Sequence, residues 1–151
     1  MKPEKLEINV SLQIQKPITE VFEAIVNPEK MSNYFISEGS ARMEQGKEVM
    51  WKFPEFEGKF PIKVFKIEKD KYISYFWGAN GEETVVEMTL IPKENDSTLV
   101  TIVEKSRDNN EEGIKWLMGN SFGWSNFLAC LKAYLEYGIN LRKGAFDYMK
   151  K

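Results

Sequence analysis

The chain has 151 residues, 21 basic and 23 acidic, with a formal charge of −2 and a pI near 5.4; that is the length of one domain, with no electrostatic footprint for nucleic acid. Histidine is absent and Cys130 is the single cysteine, which excludes a Ser-His-Asp triad, a Cys-His dyad, a histidine-ligated or Cys₄ metal site and an internal disulfide. The opening "MKPEKLEINV" has no apolar leader, basic runs stop at a pair, and no segment nears the roughly 20 apolar residues of a spanning helix, so a cytoplasmic protein without cofactor, metal or membrane partner is expected.

Residues 4–15 alternate. Leu6, Ile8, Val10, Leu12 and Ile14 point one way and Glu7, Asn9, Ser11 and Gln13 the other, the pattern of a strand with one wet face in an antiparallel sheet. In "KPITEVFEAIVNPEKMSNYF", Thr19 is placed to cap a short helix whose Val21, Phe22, Ile25 and Val26 face inward. Asn27 followed by Pro28 restarts it, since proline suits the first helical position.

From Ile36 to Ser106, turn signals at "EQGKE", "PEFEG", "EKDK", "GANGEE" and "PKENDST" bound about six strands. Asn80–Gly81 predicts a tight hairpin, because both residues tolerate positive φ. Val86, Met88 and Leu90 alternate with Glu87 and Thr89 in the strand that follows.

After Ser106 the pattern turns helical. "NNEE" suits a helix start, and the spacing predicts a short helix broken near Gly119–Asn120, with Gly113, Gly119 and Gly123 weakening the segment. A longer helix over 121–137 follows, closed by Gly138, and "INLRKGAFDYMKK" reads as a marginal tail. Strands grouped together with helices set apart give a single α+β domain over residues 1–151, its sheet covered by the last helix.

That helix is oily around about half its girth. At 100° steps, Trp124, Leu128, Leu131 and Leu135 centre the apolar arc, and Phe127, Cys130, Tyr134 and Tyr137 widen it along one flank. Trp51 with Phe53, and Ile73 with Tyr75 and Trp77, supply bulky side chains from the strands. Such an arc is either well-buried core or the wall of a pocket. A dry hole of about 300 Å³ would cost on the order of 7 kcal/mol, a whole domain's stability, so the rings either collapse on one another or enclose something.

The order of "KPITEVFEAIVNPEKMSNYF", "YISYFW", "STLVTIVEKS" and "GWSNFLACLKAYLEYG" resembles the family named for the activator of the heat-shock protein 90 ATPase. That family belongs to the START-like, helix-grip superfamily of the birch-pollen allergen. The Gly123–Trp124 opening of the last helix and the aromatic strand ending in Trp77 carry the resemblance best. One departure is the lone Gly46 of "EQGKE", where relatives often have a glycine pair. The resemblance implies a seven-stranded antiparallel sheet curved around the C-terminal helix, with two short helices after the first strand and an internal cavity common in the superfamily.

Three functions stay open. The first is a non-enzymatic module holding a small apolar or aromatic molecule, walled by Trp51, Phe53, Tyr75, Trp77, Met88, Trp124, Phe127, Leu128, Leu131 and Tyr134. The second is a chaperone-interacting protein. The third is a cyclase- or hydrolase-like enzyme working without histidine. Glu48, Glu87 and Glu104 are its strand carboxylates, but exposed structural charge is the expectation for them and no catalytic residue is assigned. Cys130 is expected to be buried and inert, and monomer and homodimer both stay open.

Overall fold

The structure is a computed structural model that describes residues 4–78 and 83–150; the hairpin expected at Asn80–Gly81 lies outside them. In chain order the elements are β1 (Lys5–Ile14), α1 (Ile18–Val26), α2 (Pro28–Met31), β2 (Glu38–Gly39), β3 (Glu48–Lys52), β4 (Phe60–Glu68), β5 (Tyr72–Trp77), β6 (Thr84–Lys93), β7 (Ser97–Asp108) and α3 (Glu111–Tyr137), followed by a 3₁₀ turn at Asp147–Met149. The seven strands form one sheet in the order β1-β7-β6-β5-β4-β3-β2, with every neighbouring pair antiparallel. Register shifts at Leu6/Glu7 and Val64/Lys66 interrupt the ladder. Bulges of this kind bend a sheet and increase its twist, which helps it curve around a helix.

The period-2 pattern decides which face is dry. Ile8, Val49, Trp51, Ile62, Tyr75, Val86, Met88, Val100 and Ile102 are all buried on the concave face. Trp124, Phe127, Leu128 and Leu131 of α3 pack into the same core. On the convex face polar side chains pair across strands: Glu87 accepts from the Tyr72 hydroxyl at 2.5 Å and meets Lys105 at 3.2 Å. These contacts hold the Glu87 carboxyl below its ordinary range, the Tyr72 hydrogen bond contributing most. The arrangement is the α+β helix-grip fold.

Three local expectations change. Thr19 does not cap α1, which starts two residues earlier, at Ile18 with Pro17 at the N-cap and no side-chain cap bond. By contrast, Asn27 does cap α2, its side chain accepting from the Glu29 amide at 2.9 Å.

The second change is larger. Residues 111–137 form one unbroken helix of 27 residues, about 40 Å long, where a break near Gly119–Asn120 was expected. Two helix-interior glycines cost on the order of 1 kcal/mol each, but Trp116, Leu117 and Trp124 pack against the core on the same turns. Asn120, which would ordinarily compete for backbone groups, has its amide nitrogen engaged by Glu104 instead.

At its start α3 is capped by Asn110, whose side chain accepts from the Gly113 amide at 2.8 Å. Gly113 is required by proximity: a Cβ there would lie 1.9 Å from the Asp108 carbonyl oxygen. Gly113→Ala is therefore expected to lower stability by about 2 kcal/mol despite alanine's better helix propensity. A urea midpoint equal to that of the unsubstituted protein would show that the helix start can slide away from β7. At the other end Gly138 closes the helix at φ 66°, with its amide bonded to Tyr134 and that of Ile139 to Ala133.

The third change is the tail. Rather than trailing away, the segment after Gly138 turns back so that Arg142 meets Glu55 through two hydrogen bonds of 3.1 and 2.7 Å.

Candidate functional site

The space between sheet and helix is not uniform along its length. Over part of it the rings collapse on one another: Trp51 lies 5.5 Å from Tyr75 and 5.7 Å from Phe35 between ring centroids, and Phe127 lies 4.8 Å from Phe35. Tyr34 is buried there too, its hydroxyl donating to the Ala24 carbonyl at 2.8 Å.

Beside these rings, past Phe35 and Trp77, the interior opens. One hollow of about 330 Å³ lies between the end of β5, the 53–60 loop and the first half of α3, with Phe53, Phe60, Trp77 and Trp116 on its walls. An adjoining one of about 410 Å³ runs between Gly119, Gly123 and Trp124 of α3 and Phe146, Tyr148 and Met149 of the tail. Phe35, Glu55, Phe56, Trp77, Asn120 and Arg142 belong to both. A wider cleft of about 700 Å³ separates the tail from residues 32–37, but its lining is rich in groups such as Ser32, Ser37, Asn140 and Lys143. The aromatic hollows are the better candidate, because apolar walls with a few placed polar groups are what small-molecule sites present.

Glu104 organises the inner wall. It is 1% exposed, on the concave face of β7, which corrects the expectation of an exposed charge. Oε1 accepts from Trp124 Nε1 at 2.7 Å and from Asn120 Nδ2 at 3.1 Å. Oε2 accepts from Trp77 Nε1 at 3.1 Å and from the Thr84 hydroxyl. Four donors match the four lone-pair sites of a carboxylate, so this one group holds two indoles from different elements in fixed positions. With those sites filled, Glu104 is a positioning residue and is poorly disposed to act as a general base. Glu48 is exposed and Glu87 lies on the convex face, as the alternation implied.

Close by, the Tyr75 hydroxyl is buried without a hydrogen-bond partner among the described residues. Burial pushes its phenol well above the ordinary range, with the Glu104 charge adding to the effect. Tyr75 therefore stays protonated at any physiological pH.

The tail borders the mouth. The Arg142 and Glu55 side chains are 11% and 5% exposed, a forked pair that satisfies both charges. The guanidinium also lies 4.6 Å from the Phe146 ring centre, 5.4 Å from Phe53 and 5.7 Å from Phe35, close enough for cation–π attraction. Arg107 stands over Trp116 at 5.5 Å on the far wall. No cluster of potential metal ligands occurs among the described residues, and no described helix is long and apolar enough to cross a membrane.

The sequence profile of the Activator of Hsp90 ATPase homolog 1-like protein family matches residues 15–136. The chain belongs to that family. Protein SSP2350 from Staphylococcus saprophyticus is 34% identical with a TM-score of 0.81, over 91% of this chain and 96% of that one. Two further structures share the fold at lower identity. DynU16, a protein in the dynemicin biosynthetic locus, is 24% identical with a TM-score of 0.78, over 88% of this chain and 48% of that one. The Aha1 dimer from Colwellia psychrerythraea is 20% identical with a TM-score of 0.76, over 88% and 98%. Among curated proteins none matches.

Within this family member, the ten wall residues expected from sequence divide by depth. Trp51, Tyr75, Met88, Phe127, Leu128 and Leu131 are fully buried. Phe53 and Trp77 face the first hollow, Trp77 and Trp124 the second, and Tyr134 borders a separate groove near Lys16. Phe35, Asn120, Arg142 and Glu55 were missed. Glu104 had a readable signal, since Val100, Ile102 and Glu104 share one face of a strand by alternation. Arg142 had none, because its partner is 87 residues away.

Proposed function

We propose that this member of the family is a receptor for a small, mainly aromatic molecule, held in the two hollows between α3, the end of β5 and the tail. The observation that carries this reading is the pinning of Trp77 and Trp124 by Glu104. Two indoles fixed at 5.3 Å between ring centroids form a rigid aromatic wall that does not close over the space beside it. The charged groups on the walls, Glu55, Glu104, Arg107 and Arg142, balance, which suits an uncharged guest.

Gly119 and Gly123, one turn apart, support the same reading. A Cβ at either position would meet nothing within 4 Å, so both keep the outer hollow clear. The test is a fluorescence titration with the apolar probe N-phenyl-1-naphthylamine. Gly123→Leu fills the outer hollow with a better helix former, so it is expected to fold normally and weaken probe binding about tenfold or more. Equal binding by the two proteins, or no enhancement at high micromolar probe, defeats the reading.

A second reading, contact with a chaperone, draws on the family's description and on Ile114, Met118 and Phe122. These exposed side chains repeat every four residues along α3. Retention of the chaperone by immobilised protein, lost in a Met118→Glu variant, would favour it.

A further inference from the structure

The receptor reading leaves open what the guest must carry besides aromatic surface, and Asn120 answers that. It lies on the wall of both hollows, so a molecule filling both would run past it. Its orientation is set by its partner. Glu104 Oε1 already accepts from the Trp124 indole, so the group facing that oxygen from Asn120 has to be a donor. Asn120 therefore turns its Nδ2 to Glu104 at 3.1 Å, because the opposite amide rotamer would set oxygen against oxygen. The amide carbonyl is left over. No donor among the described residues reaches Oδ1, whereas Glu104 itself has no acceptor site remaining.

We infer that Asn120 is the specificity-determining residue of this site, and that its carbonyl accepts a hydrogen bond from an N–H or O–H group placed between two ring-bearing halves of the guest. This rests on the receptor reading. The ligand class is an uncharged, two-lobed aromatic compound with a donor at its centre. A purely hydrocarbon guest would bury the Asn120 carbonyl unpaired, and a guest with an acceptor at that point would be repelled. Glu104 acts through Asn120 here, by fixing which amide atom faces the guest.

N-phenyl-1-naphthylamine has this form, a naphthyl and a phenyl group joined through one N–H, and its N-methyl derivative keeps the rings but has no donor. Both are titrated against the unsubstituted protein and against Asn120→Leu, which has a similar side-chain volume and no acceptor. The unsubstituted protein is expected to prefer the N–H compound about fivefold, the worth of one net hydrogen bond. Asn120→Leu is expected to lose that preference, read as the ratio of the two affinities within each protein, so that differences in probe hydrophobicity and any change in overall affinity cancel. A thermal melt of the variant separates loss of preference from loss of fold, and the first comparison needs no variant.

Equal binding of the two probes by the unsubstituted protein, or an unchanged ratio in Asn120→Leu, overturns the role of Asn120 and leaves the receptor reading standing. Failure of both probes to bind removes the receptor reading, and this inference with it.

Discussion

Glu104→Gln is expected to lower the unfolding free energy by about 2–3 kcal/mol and Glu104→Ala by about 4 kcal/mol, read as a fall in the urea midpoint at unchanged m. The glutamine variant is the more informative. Each Glu104 oxygen accepts two donors, so an amide in either orientation turns its NH₂ group toward two of them. The less costly choice faces Thr84, whose hydroxyl can accept instead, and leaves the Trp77 indole N–H unpaired. Alanine strands all four donors at once.

Replacing a buried charge can be neutral where shaped apolar groups take over both sides of the interaction. That route is closed here, because the donors come from β5, β6 and α3 and would all remain. A glutamine variant within about 0.5 kcal/mol of the unsubstituted protein, the usual scatter of a harmless substitution, would show that the charge is dispensable. Probe binding supplies a second readout, since Trp77 loses its fixed position in both variants and Trp124 in the alanine variant.

Arg142→Ala is expected to act on access to the site. Breaking a deeply buried ion pair costs about 3–5 kcal/mol when the partner is trapped, but the tail can detach locally and let water reach Glu55. The loss of global stability should therefore stay near 2 kcal/mol, with the remainder appearing as local opening of residues 139–149. Limited proteolysis should cut that segment about tenfold faster, in line with a local opening equilibrium shifted by a kcal/mol or more. In the receptor reading, stopped-flow release of N-phenyl-1-naphthylamine accelerates by a similar factor.

Arg142→Lys should recover little of this, because an ammonium cannot make the forked contact with Glu55 or lie flat against Phe146 and Phe53. If tail cleavage and probe release both stay at their original rates, the Arg142–Glu55 pair does not gate the hollows.

Local chemistry made much of the fold legible. The strict alternation from Leu6 to Ile14 identified a one-sided strand because a pleated chain turns successive side chains to opposite faces. Asn27–Pro28 and Gly138 marked helix ends by properties of those residues alone, a side chain that caps, a ring that pre-sets φ and a missing Cβ. The same local reasoning misjudged Gly119–Asn120, since helix propensity counts what a residue contributes in isolation and not what its side chain finds in the folded protein.

Periodicity assigns a side chain to a face but not to a depth along that face. Trp51, Tyr75 and Trp77 all point inward from the sequence pattern, yet the first two are sealed among other rings and the third borders open space. The difference arises from where α3 and the 53–60 loop cross the curved sheet. Alternation could turn Glu104 inward, but only the assembled domain brought it Trp77, Thr84, Asn120 and Trp124. The Arg142–Glu55 pair was equally hidden, because attraction between groups 87 residues apart leaves no local pattern and exists only once the tail has turned back toward the 53–60 loop.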